Sequence, residues 1–561
     1  MPRSRWWWLA GGIAALALAA SFNGVWNDFT YDDLFIVRGN EVVHDAKRAW
    51  TLFVLPYWPI RLGGDGYRPL TLFALALQWA VAPGSAMLFH AVTVALYVLT
   101  SVAVFRLASL LLPATYAWLT AALFAVHPVH VEAVANVVGQ SEVWAALLLV
   151  SATAMYIQWR RSAMFSTGRK ALVALLYFAA CLFKEHAVVL PVVLLAAEWL
   201  LIHGEQPIAG RLRALRPFFL FLLLISCFYV VFRSLVINKG FGGFSPFIPF
   251  VSLHVGHLDR VLTMLGVIPH WVRLVLWPAV LTTEYGPPAN PIANGLELWQ
   301  LPGLLILTGV LGLGFATIRR APVVAFGITW FVLTLLPSSN FVLPSGILLA
   351  ERTLFTPSLG AILAVCGALT HLTRHLQTPV TRVSVLVCAQ ALLLAGVFKS
   401  IVQTAVWRNN DTLFATAVAT SPMVYRSHYM LGAWMMSKKK AALGEREYLM
   451  AMGLFPDDPF VPYNLGQEYF HAGYYELAYL MYGRAERIMP GFQDVRSRLA
   501  LTRAVQGRYT EAGSLAKRAI QDGAGDLKML RSILTAASLD ELSRKKLVSR
   551  IVAQPAKIIA R

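Results

Sequence analysis

The sequence is poor in charge. Only 14% of its 561 residues are charged, whereas 57% are hydrophobic, and the mean hydropathy is +0.60. Soluble domains carry about 25% charged residues, so this composition excludes an ordinary soluble protein. Apolar runs near the length that crosses about 30 Å of hydrocarbon recur from Trp6 to about Ile401. The sequence therefore predicts a polytopic membrane protein.

Cysteine is scarce as well, and its positions follow no pattern. Each cysteine lies inside an apolar stretch without a paired spacing: Cys181, Cys227, Cys366 and Cys388. This distribution argues against a disulfide framework and a zinc site, which use cysteines at recurring spacings. The four are interpreted as small core residues.

Acidic residues are few, 29 against 48 lysines and arginines, which gives a formal net charge of +19. A positive charge of this size is also found in nucleic-acid-binding proteins. Here the arginines lie mostly in short clusters between apolar runs, where they orient membrane spans. We therefore predict no nucleic-acid partner.

Eleven apolar runs are predicted to cross the bilayer. With a cytoplasmic N-terminus, four cytoplasmic connections contain arginines, as the positive-inside rule predicts: 160–170, 203–216, 319–320 and 372–382. This holds only if residues 261–281, with Pro269 and Arg273 in the middle, form a re-entrant or in-plane segment. The predicted crossings are 6–22, 85–112, 116–135, 141–159, 171–183, 187–202, 217–236, 299–318, 321–337, 353–371 and 383–401.

The first segment also fits a signal peptide, since it has a basic start, an apolar middle and small residues around Ala17 and Ala19. An uncleaved span is preferred because many spans follow. Either way Asp32 lies outside the cytoplasm. The Ala- and Arg-rich composition favours a bacterial inner membrane. The segments expected on the periplasmic face are 23–84, 127–141, 184–186, 237–298, 338–352 and everything after about 402.

Beyond residue 402 the chain has a 34-residue period. Proline recurs at this step, and so do small residues: Pro422, Pro456 and Pro490, Gly432, Gly466 and Ala500, and Gly473 and Gly507. The period predicts three tetratricopeptide repeats, the first of them degenerate, that follow a lone helix in "NNDTLFATAVATSP". Such solenoids present a concave surface for peptides or helices, and a purely structural cap is the alternative.

The predicted fold class is all-α, a polytopic helix bundle followed by an α-solenoid. The predicted domains are a transmembrane domain over 1–402, whose first outer loop is 23–84, a repeat domain over 403–530, and a helical, basic tail over 531–561.

Polar residues collect in the outer segments. Asp32 and Asp33, in "FTYDDLFIVRG", follow the first span by about ten residues, and two aspartates inside lipid would cost about 2.5–3.5 kcal/mol each. Several cations opposite a carboxylate pair suggest an anionic substrate. The other charged or polar candidates on this face are Arg68, His127, His130, Glu132, Glu142, Lys184, Glu185, His186, Glu284, Glu351 and Arg352.

Two of these groups have simpler interpretations. In "HPVHVE", His127, His130 and Glu132 are suitable metal-ligand types, but Pro128 breaks the helix that would align them, and capping of a span end is the alternative. Lys184 and Glu185 can form a local ion pair at a helix end. We assign no metal-binding residue, and a divalent metal cofactor stays open.

Five motifs in order, followed by the repeats, resemble the transmembrane and tetratricopeptide-repeat O-mannosyltransferases and their bacterial relatives. The motifs are "YDDLFIV", "YRPLTLF", "HPVHVEAVANVVGQSE", "FKEHAVVLP" and "SSNFVLPSGILLAERTLFTPSLG". The resemblance implies a GT-C glycosyltransferase of the membrane. It also implies a polyprenyl-phosphate sugar as donor, with mannose or another hexose, and an acceptor protein or glycan held by the repeats.

The resemblance also implies roles for individual residues. Asp32 matches the catalytic base, and Asp33 matches its neighbour, which we expect a cation such as Arg68 to hold. Lys184 and Arg352 match positions interpreted as phosphate-binding, and we add Arg68 and His186 to that group. The remaining candidates have no assigned role: His127, His130, Glu132, Glu142, Glu185 and Glu351. One position departs from the family, which often has Arg where this chain has Gln140.

Two other classes of protein are considered. A membrane scaffold that presents the repeats to partners needs only one span, and it does not explain charges spread over four outer loops. A transporter would place charges within the spans and would show internal pseudo-symmetry, and no inverted repeat is visible. The sequence does not identify the sugar, the acceptor or the oligomeric state.

Overall fold

The computed structural model of the chain is built of helices. It describes residues 3–60, 64–202, 207–237, 247–373, 379–492, 494–523 and 525–552. Over these ranges no β-sheet forms, so the predicted all-α fold class is confirmed. Parts of the predicted outer segment 237–298 and of the predicted tail, residues 238–246 and 553–561, lie outside the described residues.

The chain divides into two compact units. The first contains residues 1–245, 260–283 and 295–416, and the second contains 246–259, 284–294 and 417–561. The division near residue 416 lies within the helix Asn410–Thr420, and the predicted boundary at residue 402 precedes it. The first unit thus contains the long apolar helices, and the second is built mainly of helix pairs.

The first unit contains long apolar helices joined by short turns. Its α-helices are Arg3–Ser21, Glu41–His44, Pro69–Val81, Ala86–Leu111, Ala114–Ala125, Val131–Ala135, Gln140–Arg161, Thr167–Phe183, Leu190–Leu200, Ile208–Ile237, His257–Leu276, Leu301–Thr317, Pro322–Leu335, Phe355–Thr373, Pro379–Val406 and Asn410–Thr420. Shorter helical turns lie at Phe22–Trp26, Leu34–Arg38, Ala46–Val54, Pro128–His130, Val137–Gly139, Glu185–Val189, Leu298–Gln300, Leu336–Ser338 and Glu351–Leu354.

Seven helices among the described residues are long and apolar enough to cross a membrane. An eighth is counted if Ala114–Ala125 and Pro128–Ala135, which meet at a 45° bend, form one span. The break, at residues 126–127, directly precedes Pro128, which was expected to interrupt the helix. Some predicted crossings correspond to helices that are too short to span the bilayer. The helix Leu190–Leu200 has 11 residues, which extend only about 17 Å, whereas the hydrocarbon core is about 30 Å thick. The number of eleven spans stays a prediction.

Glycines let several of these helices pack closely. A Cβ atom on Gly327 would lie 2.5 Å from the carbonyl oxygen of Gly360, and one on Gly303 would lie 1.7 Å from that of Leu265. Membrane helices associate through such small residues, because lipid provides no hydrophobic drive between them. The helix pairs 322–335 with 355–373 and 257–276 with 301–317 therefore approach backbone to backbone.

The second unit contains four helix pairs. The first helices of the pairs are Tyr425–Ser437, Phe460–His471, Val495–Val505 and Leu527–Ser538, and the second helices are Ala441–Leu454, Tyr475–Ile488, Tyr509–Gln521 and Glu541–Val552. The sequence predicted three repeats, whereas the described residues contain four pairs, because the predicted tail supplies most of the last one. Their assignment as tetratricopeptide repeats stays a prediction.

The periodic glycines have two functions in these pairs. Gly473 and Gly507 adopt φ of +85° and +78° in the turn within a pair, a conformation that suits glycine. Lys439 occupies the equivalent turn of the first pair with φ of +60°. Gly466 lies where a Cβ atom would be 3.0 Å from the ring of Tyr482, so it permits close packing of the helices.

Two short segments far upstream in sequence belong to the second unit. Ile248, in the short helix Ile248–Ser252, packs against the apolar core of the helix pairs. In the other segment, Glu284 binds Arg426 at 3.0 Å, and Pro287 accepts a backbone hydrogen bond from Tyr425 at 3.2 Å. The second unit is therefore assembled from three separate stretches of sequence.

Candidate active site

Backbone amides hold the carboxylate of Asp33. One oxygen accepts from Val138 N at 2.9 Å, and the other from Thr30 N and Val137 N at 3.2 Å each. Asp33 is fully buried. Burial raises the pKa of Asp33 to about 7, although the three amides lower it in part. The expected cation partner for Asp33 is wrong, because three backbone N–H groups bind its oxygens and Arg68 binds Glu185 instead.

Two of the three amides that bind Asp33, those of Val137 and Val138, belong to a tight turn after the bent helix. Asn136 caps this turn with its side chain, which accepts from Val138 N at 3.2 Å. Gly139 closes the turn against Ala133, whose carbonyl oxygen would lie 2.2 Å from a Cβ atom on the glycine. The motif "EAVANVVGQ" therefore places two backbone donors where the first outer loop needs them.

Asp32 is the more accessible member of the pair. It is half-buried, and its carbonyl accepts from Phe35 N and Ile36 N at the start of the turn Leu34–Arg38. Tyr31 precedes it with φ of +53°, so the chain reverses there. Asp32 lies within electrostatic range of Arg352. The two aspartates thus differ: Asp33 is buried and bound by backbone amides, whereas Asp32 is half-buried and within electrostatic range of a cation.

Arg68 binds a glutamate instead of Asp33. Its Nε and Nη2 donate to Glu185 at 2.8 and 2.6 Å, a bidentate pair. Burial alone would lower the pKa of Arg68, but Glu185 more than reverses this and raises it. Burial opposes ionisation of Glu185, yet Arg68 outweighs it and holds the pKa of Glu185 below its usual range.

Lys184 also binds a distant glutamate. Its Nζ donates to Glu142, and Nδ1 of His186 lies 3.4 Å from the other oxygen of that carboxylate. The local pair of Lys184 with Glu185 is therefore not formed. Burial lowers the pKa of both Lys184 and His186, and Glu142 opposes this for each. The buried Nε2 of His186 has no hydrogen-bond partner among the described residues.

Arg352 forms the third such pair. Its Nη1 and its backbone N donate to the two oxygens of Glu132, the backbone bond being 2.8 Å. The neighbouring Glu351 is buried and accepts from Thr282 N at 2.7 Å. Arg68, Lys184 and Arg352 thus each bind a different glutamate that is distant in sequence.

The histidines of "HPVHVE" have separate structural partners. His127 Nε2 lies 2.8 Å from Val275 O, and its Nδ1 caps the next turn by accepting from Val129 N at 3.3 Å. His130 is buried between Tyr97 and Ser358, with contacts of 3.0 and 2.8 Å. Nowhere in the described ranges do three His, Cys, Asp or Glu side chains come together as a metal site. These contacts agree with the capping interpretation of His127.

Gln140, where the family often has Arg, forms a reciprocal amide pair. It donates to Gln78 at 3.0 Å and accepts from Gln78 at 2.9 Å, and it also donates to Phe89 O. Both side chains are buried. This amide pair satisfies Gln140 internally, so no charge is needed at this position.

Two residues of the site were missed by the sequence analysis. Tyr57 places its ring 4.7 Å from the Arg68 guanidinium and lies within electrostatic range of both aspartates. Arg233 is buried in the helix Ile208–Ile237. It lies within electrostatic range of Tyr229, and so does Glu185. Arg233 could have been found from its position, because a charge within an apolar run is a functional signal by default. Tyr57 has no such signal.

The arrangement combines the half-exposed carboxylate of Asp32 with three partly buried basic side chains, Arg68, Lys184 and Arg352. A guanidinium has five N–H donors, so Arg352, which uses one side-chain nitrogen on Glu132, has further donors for an anion. Lys184 lies within electrostatic range of both Arg68 and Arg352, so the three cations form one group. This chemistry suits an anionic ligand with a group from which Asp32 can accept a proton.

Together, the helical bundle and the buried ion pairs define a polytopic membrane protein with a polar site. Its homologues are protein O-mannosyl-transferases, which confirms the resemblance seen in the motifs. TMTC3 of Mus musculus is 24% identical over 558 residues, which cover 91% of this chain and 59% of the relative. TMTC4 and TMTC1 of Homo sapiens are 24% and 25% identical and cover 78% and 82% of this chain.

The chain spans 56–65% of the length of these curated relatives. No family model matches the sequence. Among solved structures, the archaeal oligosaccharyltransferase AglB from Archaeoglobus fulgidus, in complex with an inhibitory peptide and a dolichol-phosphate, is 12% identical with a TM-score of 0.42. The match covers 72% of this chain and 56% of that one.

Proposed function

We propose that this protein is a membrane glycosyltransferase that moves a hexose from a polyprenyl-phosphate donor to an acceptor hydroxyl outside the cytoplasm. Homology to O-mannosyl-transferases over 91% of the chain supports the reaction class and favours mannose. The observation that carries the proposal is the position of Asp32, half-exposed beside the buried Asp33 and within range of Arg352.

In the proposed reaction, the acceptor oxygen attacks the anomeric carbon of the sugar. Asp32 accepts the proton of the acceptor hydroxyl, a contribution worth roughly 10²–10⁴-fold in rate. The bond between the anomeric carbon and the phosphate oxygen breaks, and polyprenyl phosphate leaves with the electron pair. Arg352, Lys184 and Arg68 stabilise the negative charge on the leaving phosphate. A single displacement inverts the anomeric configuration.

The position of Asp33 supports this division of roles. Because three backbone amides fix Asp33, the backbone of the adjacent Asp32 is held in a defined position. A base must be oriented towards the proton that it removes, so a rigid neighbour favours the catalytic geometry. Asp33 is therefore proposed as a positioning residue.

The test is transfer of a labelled sugar from a polyprenyl-phosphate donor by the purified full chain. Asp32→Asn should reduce transfer at least 100-fold with an unchanged melting temperature. Asp45→Asn is the matched control, because Asp45 lies in the same loop in an exposed pair with Arg48 at 3.3 Å and should keep full activity. An active Asp32→Asn variant would contradict the assignment, and a wild-type chain that transfers no sugar would contradict the function.

A further inference from the structure

The buried hydroxyl of Tyr57 forms no hydrogen bond of regular geometry among the described residues, although the Arg68 guanidinium lies close to it and, against the larger effect of burial, lowers its pKa in part. A guanidinium has donors only, so the phenolic proton has no acceptor there. The Tyr57 side chain is 2% exposed. Buried polar atoms are nearly always hydrogen-bonded, because leaving one unsatisfied costs about 1–3 kcal/mol. An exception at a polar site requires an explanation, and a ligand that accepts the phenolic proton provides one.

Backbone hydrogen bonds between two segments of the first outer loop fix the position of Tyr57. Tyr57 N donates to Gly66 O and Trp58 N donates to Asp65 O, both at 2.8 Å. Gly66 has φ of +70°, a conformation that suits glycine, and Tyr67 and Arg68 follow it directly. The pairing therefore brings the ring of Tyr57 to the guanidinium of Arg68, at 4.7 Å from its centre.

The surroundings of the hydroxyl define what it can bind. Burial raises the pKa of Tyr57, so the phenol is protonated at neutral pH and acts as a donor. Arg68 lies over the ring, and Lys184 and His186 are within electrostatic range of Arg68. A neutral O–H next to this cationic group favours an anionic oxygen as its acceptor.

We propose that the Tyr57 hydroxyl donates a hydrogen bond to a phosphoryl oxygen of the lipid-linked donor, beside the Arg68–Glu185 pair. The proposal rests on the proposed function and adds a neutral donor to its phosphate site. No proton is transferred, since the phenol keeps its hydrogen throughout. Tyr57 therefore binds the lipid phosphate before the reaction and after it, with or without the sugar.

The experiment compares Tyr57→Phe with wild type in the full chain. A short-chain polyprenyl phosphate without a sugar is the probe, used as a competitive inhibitor of transfer. Because a hydrogen bond to a charged group contributes about 1.5–3 kcal/mol, its inhibition constant and the donor KM should both rise roughly tenfold or more. Tyr67→Phe is the matched control, since its hydroxyl donates to Phe53 O at 2.9 Å.

Three outcomes decide the inference. An unchanged inhibition constant in an active Tyr57→Phe variant overturns it, and a rise in the donor KM alone shows a contact with the sugar instead, which also overturns it. If Tyr57→Phe lowers the melting temperature, 3-fluorotyrosine at position 57 keeps ring and hydroxyl, and its more acidic proton should strengthen inhibition a few-fold. A wild-type chain without transfer would refute the proposed function first, so the two failures are distinguishable.

Discussion

The backbone amide of Val138 donates a hydrogen bond of 2.9 Å to the carboxylate of Asp33, across 105 positions of sequence. This bond and the one from Val137 connect the first outer loop to the turn that follows the bent helix. The loop that contains Asp32 is therefore fixed to the bundle by hydrogen bonds to the backbone. Side-chain substitutions at Val137 and Val138 should leave this attachment intact.

Asp33 should make stability depend on pH. Its pKa is raised from an ordinary 3.8 to about 7, so the folded state binds the proton more tightly than the unfolded state. This contribution to the free energy of unfolding is complete below about pH 4 and is lost as pH rises through 7. The loss is on the order of 4 kcal/mol. The measurement is the melting temperature of the purified chain between pH 4 and 8, which should fall as the pH rises.

The matched variants for this prediction are Asp33→Asn and Asp45→Asn. Asp33→Asn should flatten the slope between pH 4 and 7, because its side chain has no proton to lose, and it should lower stability most at pH 4, because its NH₂ cannot accept from the backbone amides. Asp45→Asn should keep the slope. A slope that persists in Asp33→Asn would show that another group causes it.

Gly139→Ala should destabilise the turn that binds Asp33. The new Cβ atom would lie 2.2 Å from Ala133 O, so the backbone must shift. We expect a loss of about 3 kcal/mol in the free energy of unfolding, measured by denaturant or thermal unfolding. Gly309→Ala is the control, because no atom lies within 4 Å of its Cβ position, and it should be neutral. Equal stabilities of the two variants would contradict the close contact.

The Arg68–Glu185 pair should show strong energetic coupling. Removing one partner leaves the other charge largely buried and unpaired, so Glu185→Gln and Arg68→Met should each cost about 3 kcal/mol. The double variant should cost much less than the sum, because it removes both charges. A double-mutant cycle of unfolding free energies measures the coupling. Additive losses would mean that the two side chains do not interact in the folded protein.

Lys439→Gly should stabilise the first helix pair. Lys439 has φ of +60°, where the equivalent turns of the next two pairs have glycine. A left-handed conformation costs a side-chain-bearing residue about 1 kcal/mol, which glycine avoids. Thermal unfolding should show a gain of up to about 1 kcal/mol. Lys438→Gly, at a position with φ of −86°, should bring no gain.

Much of this architecture is predictable from the sequence. The apolar runs predicted the long helices, and the 34-residue period predicted that Gly473 and Gly507 occupy equivalent positions. Six charged candidates of the outer loops do form ion pairs in the first unit, because a charge near lipid is stable only with a partner: Arg68, Glu132, Glu142, Lys184, Glu185 and Arg352. The pairing itself was not predictable: Lys184 and Glu185 are neighbours in sequence, yet each binds a residue from another segment.

Other features leave no trace in residue types. The donors that hold Asp33 are backbone amides, which every residue except proline has, so the sequence suggested a cation instead. Tyr57 lies in no motif, and only the local pairing with Gly66 brings it to Arg68. The Gln78–Gln140 pair joins residues from two helices, and neither suggests the other.

The discontinuous second unit constrains how the chain threads the bilayer. Residues 246–259, 284–294 and 417–561 form one compact body, so all three must emerge from the membrane into the same compartment. The stretch between the first two must return to the side from which it started, and an even number of crossings must separate the second from the third. A single additional crossing in either interval would place parts of this compact unit on opposite sides of the membrane.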